Sequence, residues 1–115
     1  MSDARPAREW RFYVEDMIGF CDKVLSFTHG LDRSSFGVDA MRYDATLRNL
    51  ELIGEAATHV PNEARALASN VPGRMVIALR NQLIHGYLGI DSDTLWSIVR
   101  DDVAPLRNNL KKLLV

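Results

Sequence analysis

The sequence lacks several features that would assign it quickly to a class of protein. Among its 115 residues there is a single cysteine, Cys21, so the chain cannot close an internal disulfide or build a cysteine-rich zinc site. No apolar run approaches the roughly 20 residues that span a bilayer. No apolar run follows the charged N-terminus, as one does in a signal peptide. These absences predict a soluble, cytoplasmic protein that does not enter membranes.

The excess of either sign of charge is also small. The chain has 14 basic and 15 acidic residues, whereas proteins that hold nucleic acid by bulk electrostatics are usually strongly basic. Any contact with RNA or DNA must therefore be local, or must need an oligomer that gathers arginines on one surface. The length, with 47% hydrophobic and 25% charged residues, predicts one globular domain over residues 1–115.

Apolar residues recur at steps of three and four along the chain, which is the spacing of helices, and the alternation typical of strands is nearly absent. A first helix is predicted from Trp10, with Cys21 on its apolar side. His29-Gly30 and the polar run from Asp32 to Ser35 are predicted to end it. A second helix is predicted from about Val38 to His59.

On the second helix, Val38 and Met41 are placed on the apolar side. The same helix carries a polar stripe at steps of four, three and four, namely Asp44, Arg48, Glu51 and Glu55.

Further helices are predicted over residues 63–68 and from Arg74 through Ile84. A last helical segment is predicted to be capped within the stretch Asp91 to Asp93 and divided or kinked at Pro105. Together these segments predict an all-α, antiparallel bundle of four to five helices.

The unusual stretch runs from Arg80 to Tyr87. It places a permanent cation, an amide, an imidazole and a phenol within eight residues: Arg80, Asn81, His85 and Tyr87. On one helix, Arg80 and His85 diverge by roughly 140°, so a single copy does not point both at one atom. The reach of the arginine, a frayed helix end or a second copy of the helix would be needed to bring them together.

Each of these residues also has an ordinary structural explanation. His85 near a helix end is favoured by the helix dipole, Arg80 could pair with a carboxylate, and Tyr87 could pack with a wet hydroxyl. The other histidines, His29 and His59, are predicted at the surface or at caps. No histidine has a partner at metal-ligand spacing, so no metal site is expected.

The order of the four polar residues resembles the signature of the HEPN superfamily. More narrowly it resembles the HepT group, the toxin halves of two-gene modules whose other half is a minimal nucleotidyltransferase. Three stretches carry the likeness, "RNLELIGEA", "RNQLIHGYLGID" and "LWSIVRDDVAPL", which begin at Arg48, Arg80 and Leu95. One departure is Pro72-Gly73, where many relatives have a tryptophan after the proline.

The resemblance implies a HEPN-like bundle that acts as a homodimeric, metal-independent endoribonuclease toxin of a type VII-like toxin–antitoxin module. By position, Arg80 and His85 would be catalytic and Asn81 a neighbouring polar residue of the site. Tyr87 would be adenylylated by the partner nucleotidyltransferase. The protein itself would need no cofactor, and the partner would use ATP.

RNA cleavage without metal needs both an acid and a base, whereas the motif supplies one histidine. A two-fold dimer would pool two histidines and two arginines in one cleft. Arg48 and Glu55 have two interpretations of equal weight: a solvated helix face, or supporting residues that orient Arg80 or His85.

Two other functions remain open from the sequence. The protein could be a non-catalytic companion of a nucleotidyltransferase, with Arg80 and Tyr87 binding a nucleotide. It could instead be a structural interaction protein whose dimer interface includes the motif.

Overall fold

The structure, a computed structural model, describes residues 9–61 and 91–114. These residues form five helices and, within the two ranges, no strand. In chain order the helices are α1 (Trp10–Thr28), α2 (Arg33–Val38), α3 (Ala40–Ala57), α4 (Ser92–Asp101) and α5 (Val103–Leu113). The predicted all-α helical bundle is confirmed. The helices predicted over residues 63–68 and 74–84 lie outside the described residues.

Helix α1 is the central element of the described bundle and packs against both α3 and α5. It runs antiparallel to α3, because Tyr13 near the start of α1 stacks on His59, just beyond the end of α3. An ion pair between Asp22 and Arg107 joins α1 to α5. Helix α4 contacts α2 and α5 and completes the described part of the bundle.

The core consists of apolar side chains that these helices turn toward one another. Along α1 they follow the predicted steps of three and four, and the buried positions are Val14, Met17, Cys21, Val24 and Thr28. Burying a large apolar side chain contributes about 1.5–3 kcal/mol, so this stripe fixes the position of α1. The prediction that Cys21 is buried is confirmed, and burial raises the pKa of its thiol to about 12. The neighbouring Asp22 carboxylate adds to that rise, and Arg107 opposes it.

Helix α2 replaces part of a predicted loop. Asp32 caps it, because the Asp32 carboxylate accepts a hydrogen bond from the Ser35 backbone N–H at 2.8 Å. In return the Ser35 hydroxyl oxygen accepts one from the Asp32 backbone N–H at 2.9 Å. This reciprocal pair is a capping box. The polar run that ends α1 therefore also begins α2, whose Phe36 is fully buried.

The second long helix, predicted to start at about Val38, starts two residues later. Helix α3 begins at Ala40, and the Asp39 carboxylate caps it by accepting from the Arg42 backbone N–H at 3.1 Å. Because the chain leaves the helical conformation at Asp39, Val38 belongs to α2 and does not continue the apolar pattern of α3. Val38 and Met41, which the apolar pattern placed on the buried side, are 85% and 83% exposed.

The C-terminal segment divides as predicted. The Asp91 carboxylate caps α4 by accepting from the Thr94 backbone N–H at 2.7 Å. The helix ends at Asp101, four residues before Pro105, which lacks the N–H that would bond the Asp101 carbonyl and whose ring clashes with it. Helix α5 then places Pro105 in its first turn, where proline is tolerated. In the described ranges, no helix has the length and apolar character needed to cross a bilayer.

Candidate functional site

The four residues of the polar motif, Arg80, Asn81, His85 and Tyr87, lie outside the described residues. Their predicted roles therefore stay predictions. Asp91, the last residue of the motif-like stretch, is described and fixes where that stretch joins the bundle.

The two predicted supporting residues both lie on α3. Arg48 and Glu55 are seven residues apart, so the helical repeat puts them on one face, and both are exposed. Within the described ranges, neither side chain forms an ion pair with another described residue. The other members of the polar stripe are also outward, with Asp44 exposed and Glu51 half-buried. Within residues 9–61 and 91–114 this stripe is a solvated face, and the role of Arg48 and Glu55 in orienting Arg80 or His85 stays a prediction.

The buried side of the same stretch has a structural role. Asn49, next to Arg48, is only 7% exposed, and its side-chain amide donates to the Ala45 carbonyl at 2.8 Å. Leu50 and Ile53 are fully buried on this side of α3. The "RNLELIGEA" stretch thus holds α3 in the core with one side and presents charge on the other.

Asp91 ties the motif-like stretch to α4. The hydrogen bond from the Thr94 backbone N–H stabilises the ionised carboxylate and is the main reason why the pKa of Asp91 is lowered. A second hydrogen bond, from the Thr94 side chain, lowers it further. Because the charge also lies at the positive end of the α4 dipole, the cap stabilises the helix start.

Helix α2 packs against the start of α4, a contact that the sequence pattern did not predict. Arg33 and Asp93 form an ion pair at 3.4 Å. A methyl group added at Gly37 would meet the Ser92 hydroxyl at 3.5 Å, an ordinary van der Waals contact, so α2 and the start of α4 are neighbours there. The Phe36 ring lies 5.2 Å from that of Trp96. The signal that could have found α2 is the pair Asp32 and Ser35, three residues apart, just before an apolar ring.

Two of the three tyrosines are described, and both pack within the bundle. The Tyr43 ring lies 5.8 Å from Phe36. Burial raises the pKa of Tyr43, and the nearby carboxylates of Asp91 and Asp44 raise it further. The Tyr13 ring lies 4.3 Å from that of His59, with a 10° angle between the planes. Neither tyrosine was predicted to be modified, and both serve as controls for Tyr87.

The other histidines match their predicted placement. His29 and His59 are exposed, at the ends of α1 and α3 respectively. No group of three or more histidine, cysteine, aspartate and glutamate residues suited to a metal ion occurs within residues 9–61 and 91–114.

Comparison with known proteins agrees with the sequence resemblance. "Putative RNase MJ1380" of Methanocaldococcus jannaschii is 36% identical over 104 residues, covering 90% of this chain and 95% of that protein. "Probable ribonuclease HepT" of Thermococcus cleftensis is 33% identical over 106 residues, covering 92% and 96%. No solved structure matches significantly. The model of the HepT-like family, described as "Ribonuclease HepT-like", matches residues 17–113. The chain therefore belongs to the HepT-like family.

Proposed function

We propose that this protein is a metal-independent endoribonuclease and the toxin of a type VII-like toxin–antitoxin module. The observation that carries the proposal is the HepT-like match over residues 17–113, which includes the whole stretch from Arg80 to Tyr87. Relatives named as ribonucleases match nearly the full length of the chain. The substrate is RNA in the cytoplasm.

Cleavage needs no group beyond the side chains of the motif and the RNA itself. The ribose 2′-oxygen attacks the adjacent phosphorus, the bond from phosphorus to the 5′-oxygen breaks, and a 2′,3′-cyclic phosphate and a 5′-hydroxyl result. His85 acts in proton transfer, because imidazole exchanges protons near neutral pH. Arg80 stabilises the charge that develops on the phosphorane through its fork of donors.

Two copies of the chain form the active site. One histidine cannot remove the 2′-proton and protonate the leaving oxygen in the same step, whereas a two-fold dimer supplies one histidine for each task. The pooled arginines also give a chain of net charge −1 a local positive cleft for RNA. Asn81 orients groups in this cleft.

The exposure of Arg48 and Glu55 is consistent with this arrangement. Side chains that point away from their own core can contact the partner copy or the RNA strand that it holds. We assign Arg48 and Glu55 supporting roles that act on the partner copy or on the RNA strand that it holds.

Adenylylation of Tyr87 silences the toxin. The phenolic oxygen attacks the α-phosphorus of ATP, pyrophosphate leaves, and the phenolic proton passes to a base of the partner nucleotidyltransferase. The added phosphate carries negative charge and occupies the fork of Arg80, while the nucleoside blocks the cleft.

The decisive experiment compares the wild-type protein with His85→Ala, each expressed without its partner. RNA cleavage with EDTA present should fall at least about 100-fold in the variant, the usual contribution of a general acid or base. His29→Ala is the matched control, since this exposed histidine lies at the end of α1. Equal cleavage by His85→Ala would refute the assignment. Nucleotide binding by the wild type without cleavage would favour the non-catalytic companion.

A further inference from the structure

Helix α5 has the highest net charge of the five described helices. It carries three basic residues, Arg107, Lys111 and Lys112, and no acidic residue. The described residues before α5, 9–61 and 91–102, carry 6 basic and 13 acidic side chains, a net charge of −7. A chain whose overall charge is −1 therefore concentrates positive charge on this helix.

The two lysines lie on the side of α5 that faces away from the core. Its opposite side is buried in the bundle through Val103, Leu106 and Leu110. The exposed positions, which we call the α5 outer face, are Ala104, Pro105, Asn108, Lys111 and Lys112. Asn108 precedes the lysines by three and four residues, so the helical repeat places these three polar side chains next to one another.

The lysines have no carboxylate partner within residues 9–61 and 91–114. A helix face that is merely solvated gains about 0.2–0.5 kcal/mol from an acidic residue four positions before each lysine. Here those positions hold Arg107 and Asn108, and Arg107 is itself paired with Asp22 of α1. The helix dipole accounts for the sign of charge in the last turn, but not for the absence of acidic partners. Two ammonium groups are thus left for an anion outside the described bundle.

The composition of the α5 outer face favours a nucleic-acid strand over a protein as the source of that anion. Contacts between proteins usually have large apolar side chains at their centre, whereas the apolar members of this face are Ala104 and Pro105. A strand offers one phosphate per nucleotide, and adjacent lysines diverge by about 100° around the helix, so they reach different phosphates. The Asn108 amide can donate to a phosphate or ribose oxygen.

We propose that the α5 outer face binds phosphates of the RNA substrate, as a contact separate from the polar motif of residues 80–87. This inference rests on the proposed function, because it takes RNA as the substrate. The lysines hold the strand equally well before and during cleavage, so the contact lowers KM for RNA and leaves kcat unchanged.

The test measures binding of the full-length protein to a single-stranded 2′-O-methyl oligoribonucleotide by fluorescence anisotropy. A length of roughly 20 nucleotides exceeds the site sizes of about 4–16 nucleotides that single-strand-binding folds cover. The methyl group blocks the attacking 2′-oxygen, so the probe is bound and not cut.

The test variant is the double substitution Lys111→Gln and Lys112→Gln. Its matched control is Arg33→Gln with Arg42→Gln, which removes the same charge from side chains that are 49% and 52% exposed and paired with aspartates. Lys111→Arg with Lys112→Arg keeps the charge and should bind like the wild type.

The expected effect follows from counterion release. For single strands, the logarithm of affinity falls with the logarithm of salt concentration by about 0.7 per neutralised phosphate. Losing two contacts should reduce that slope by about 1.4 and weaken binding at least about tenfold at about 100 mM salt. The arginine control should stay within about twofold of the wild type, since a paired arginine neutralises no phosphate. On cleavable RNA the lysine variant should raise KM with kcat unchanged, and circular dichroism should be the same for all variants.

Two results would overturn the inference. Equal losses of affinity in the lysine variant and the arginine control would show that net charge governs binding, with no special role for α5. Unchanged affinity and salt slope in the lysine variant would show that RNA does not contact this face. If that variant instead binds the partner nucleotidyltransferase more weakly, the face belongs to the protein partner.

Failure of the proposed function gives a different result. A wild-type protein that binds the probe through Lys111 and Lys112, but does not cut unmodified RNA, would refute the nuclease and support the binding surface.

Discussion

Replacing Thr46 by valine is expected to stabilise the protein, although Thr46 lies fully buried in α3. In the part of the chain that the structure describes, the Thr46 hydroxyl is the buried side-chain group without a hydrogen-bond partner. A buried polar group that loses its bonds to water and gains none costs about 1–3 kcal/mol. Valine has nearly the same shape and a methyl group in place of the hydroxyl, so it removes this cost without opening a cavity.

The expected gain is about 1 kcal/mol, at the lower end of that range, because the surrounding side chains are already packed around a group of this size. For a domain of this length the gain corresponds to a rise in Tm of about 4 °C. Thr46→Ser is the matched control, since it keeps the hydroxyl and removes the methyl group. It should lower the free energy of unfolding by about 1 kcal/mol through lost burial and a small cavity.

Urea unfolding followed by circular dichroism at one protein concentration measures both variants, because dimerisation would make stability depend on concentration. If Thr46→Val unfolds more readily than the wild type by 1 kcal/mol or more, the hydroxyl has a bonding partner and the reasoning is wrong. In that case Thr46→Ser should remain closer to the wild type than Thr46→Val.

The remaining predictions concern the α4 cap and the modified tyrosine. Asp91→Ala should lower stability at pH 7 by about 0.5–1 kcal/mol, measured by thermal unfolding, whereas Asp91→Asn keeps a capping oxygen and most of the stability. Because the pKa of Asp91 is lowered in the folded protein, its ionic contribution is present above the unfolded pKa, near 3.9, and is lost as pH falls through the folded value. The deficit of Asp91→Ala should therefore shrink in acid, and a deficit that grows there would contradict this sign. Tyr87→Phe should accept no adenylyl group by mass spectrometry and stay active beside the partner enzyme, while Tyr43→Phe is modified and silenced like the wild type. If Tyr87→Phe were modified to the same extent as the wild type, another residue would be the one that accepts the adenylyl group.

Long, regular elements of this fold could be predicted from the sequence. The apolar spacing of α1 holds over 19 residues, and its end at Thr28, the cap at Asp91 and the division before Pro105 follow from local chemistry. Each of these depends on interactions within a few residues of the chain, which the sequence displays directly.

Helix α2 could not be predicted in the same way. Its six residues are too few to show a helical period, and its polar start is the same as that of a turn. What distinguishes it is the burial of Phe36 against Tyr43 and Trp96, a contact between distant parts of the chain. The same short helix takes Val38 out of the pattern of α3, because α2 ends at Val38 and α3 begins after Asp39. Met41 belongs to α3 but lies off the face on which Thr46, Leu50 and Ile53 are buried.

The candidate site also has features that the local sequence predicts and features that depend on contacts between distant residues. Its residue types and their order identify the family, and the family match confirms that identification. In the proposed dimer, Arg80 and His85 of two copies share one cleft, and hydrophobic spacing within one chain does not encode how two copies would cross. The outward position of Arg48 and Glu55 likewise became visible only once the buried side of α3 was known.

The shortness of α2 has a consequence for how the molecule assembles. An isolated peptide of six residues does not hold a helix in water. Helix α2 therefore forms only when its Phe36 ring packs against α3 and α4. Its amide protons therefore report whether the N-terminal and C-terminal portions of the chain have met. In hydrogen-exchange experiments, protection of α2 should appear and disappear together with the joining of these portions, later in folding than protection within α1.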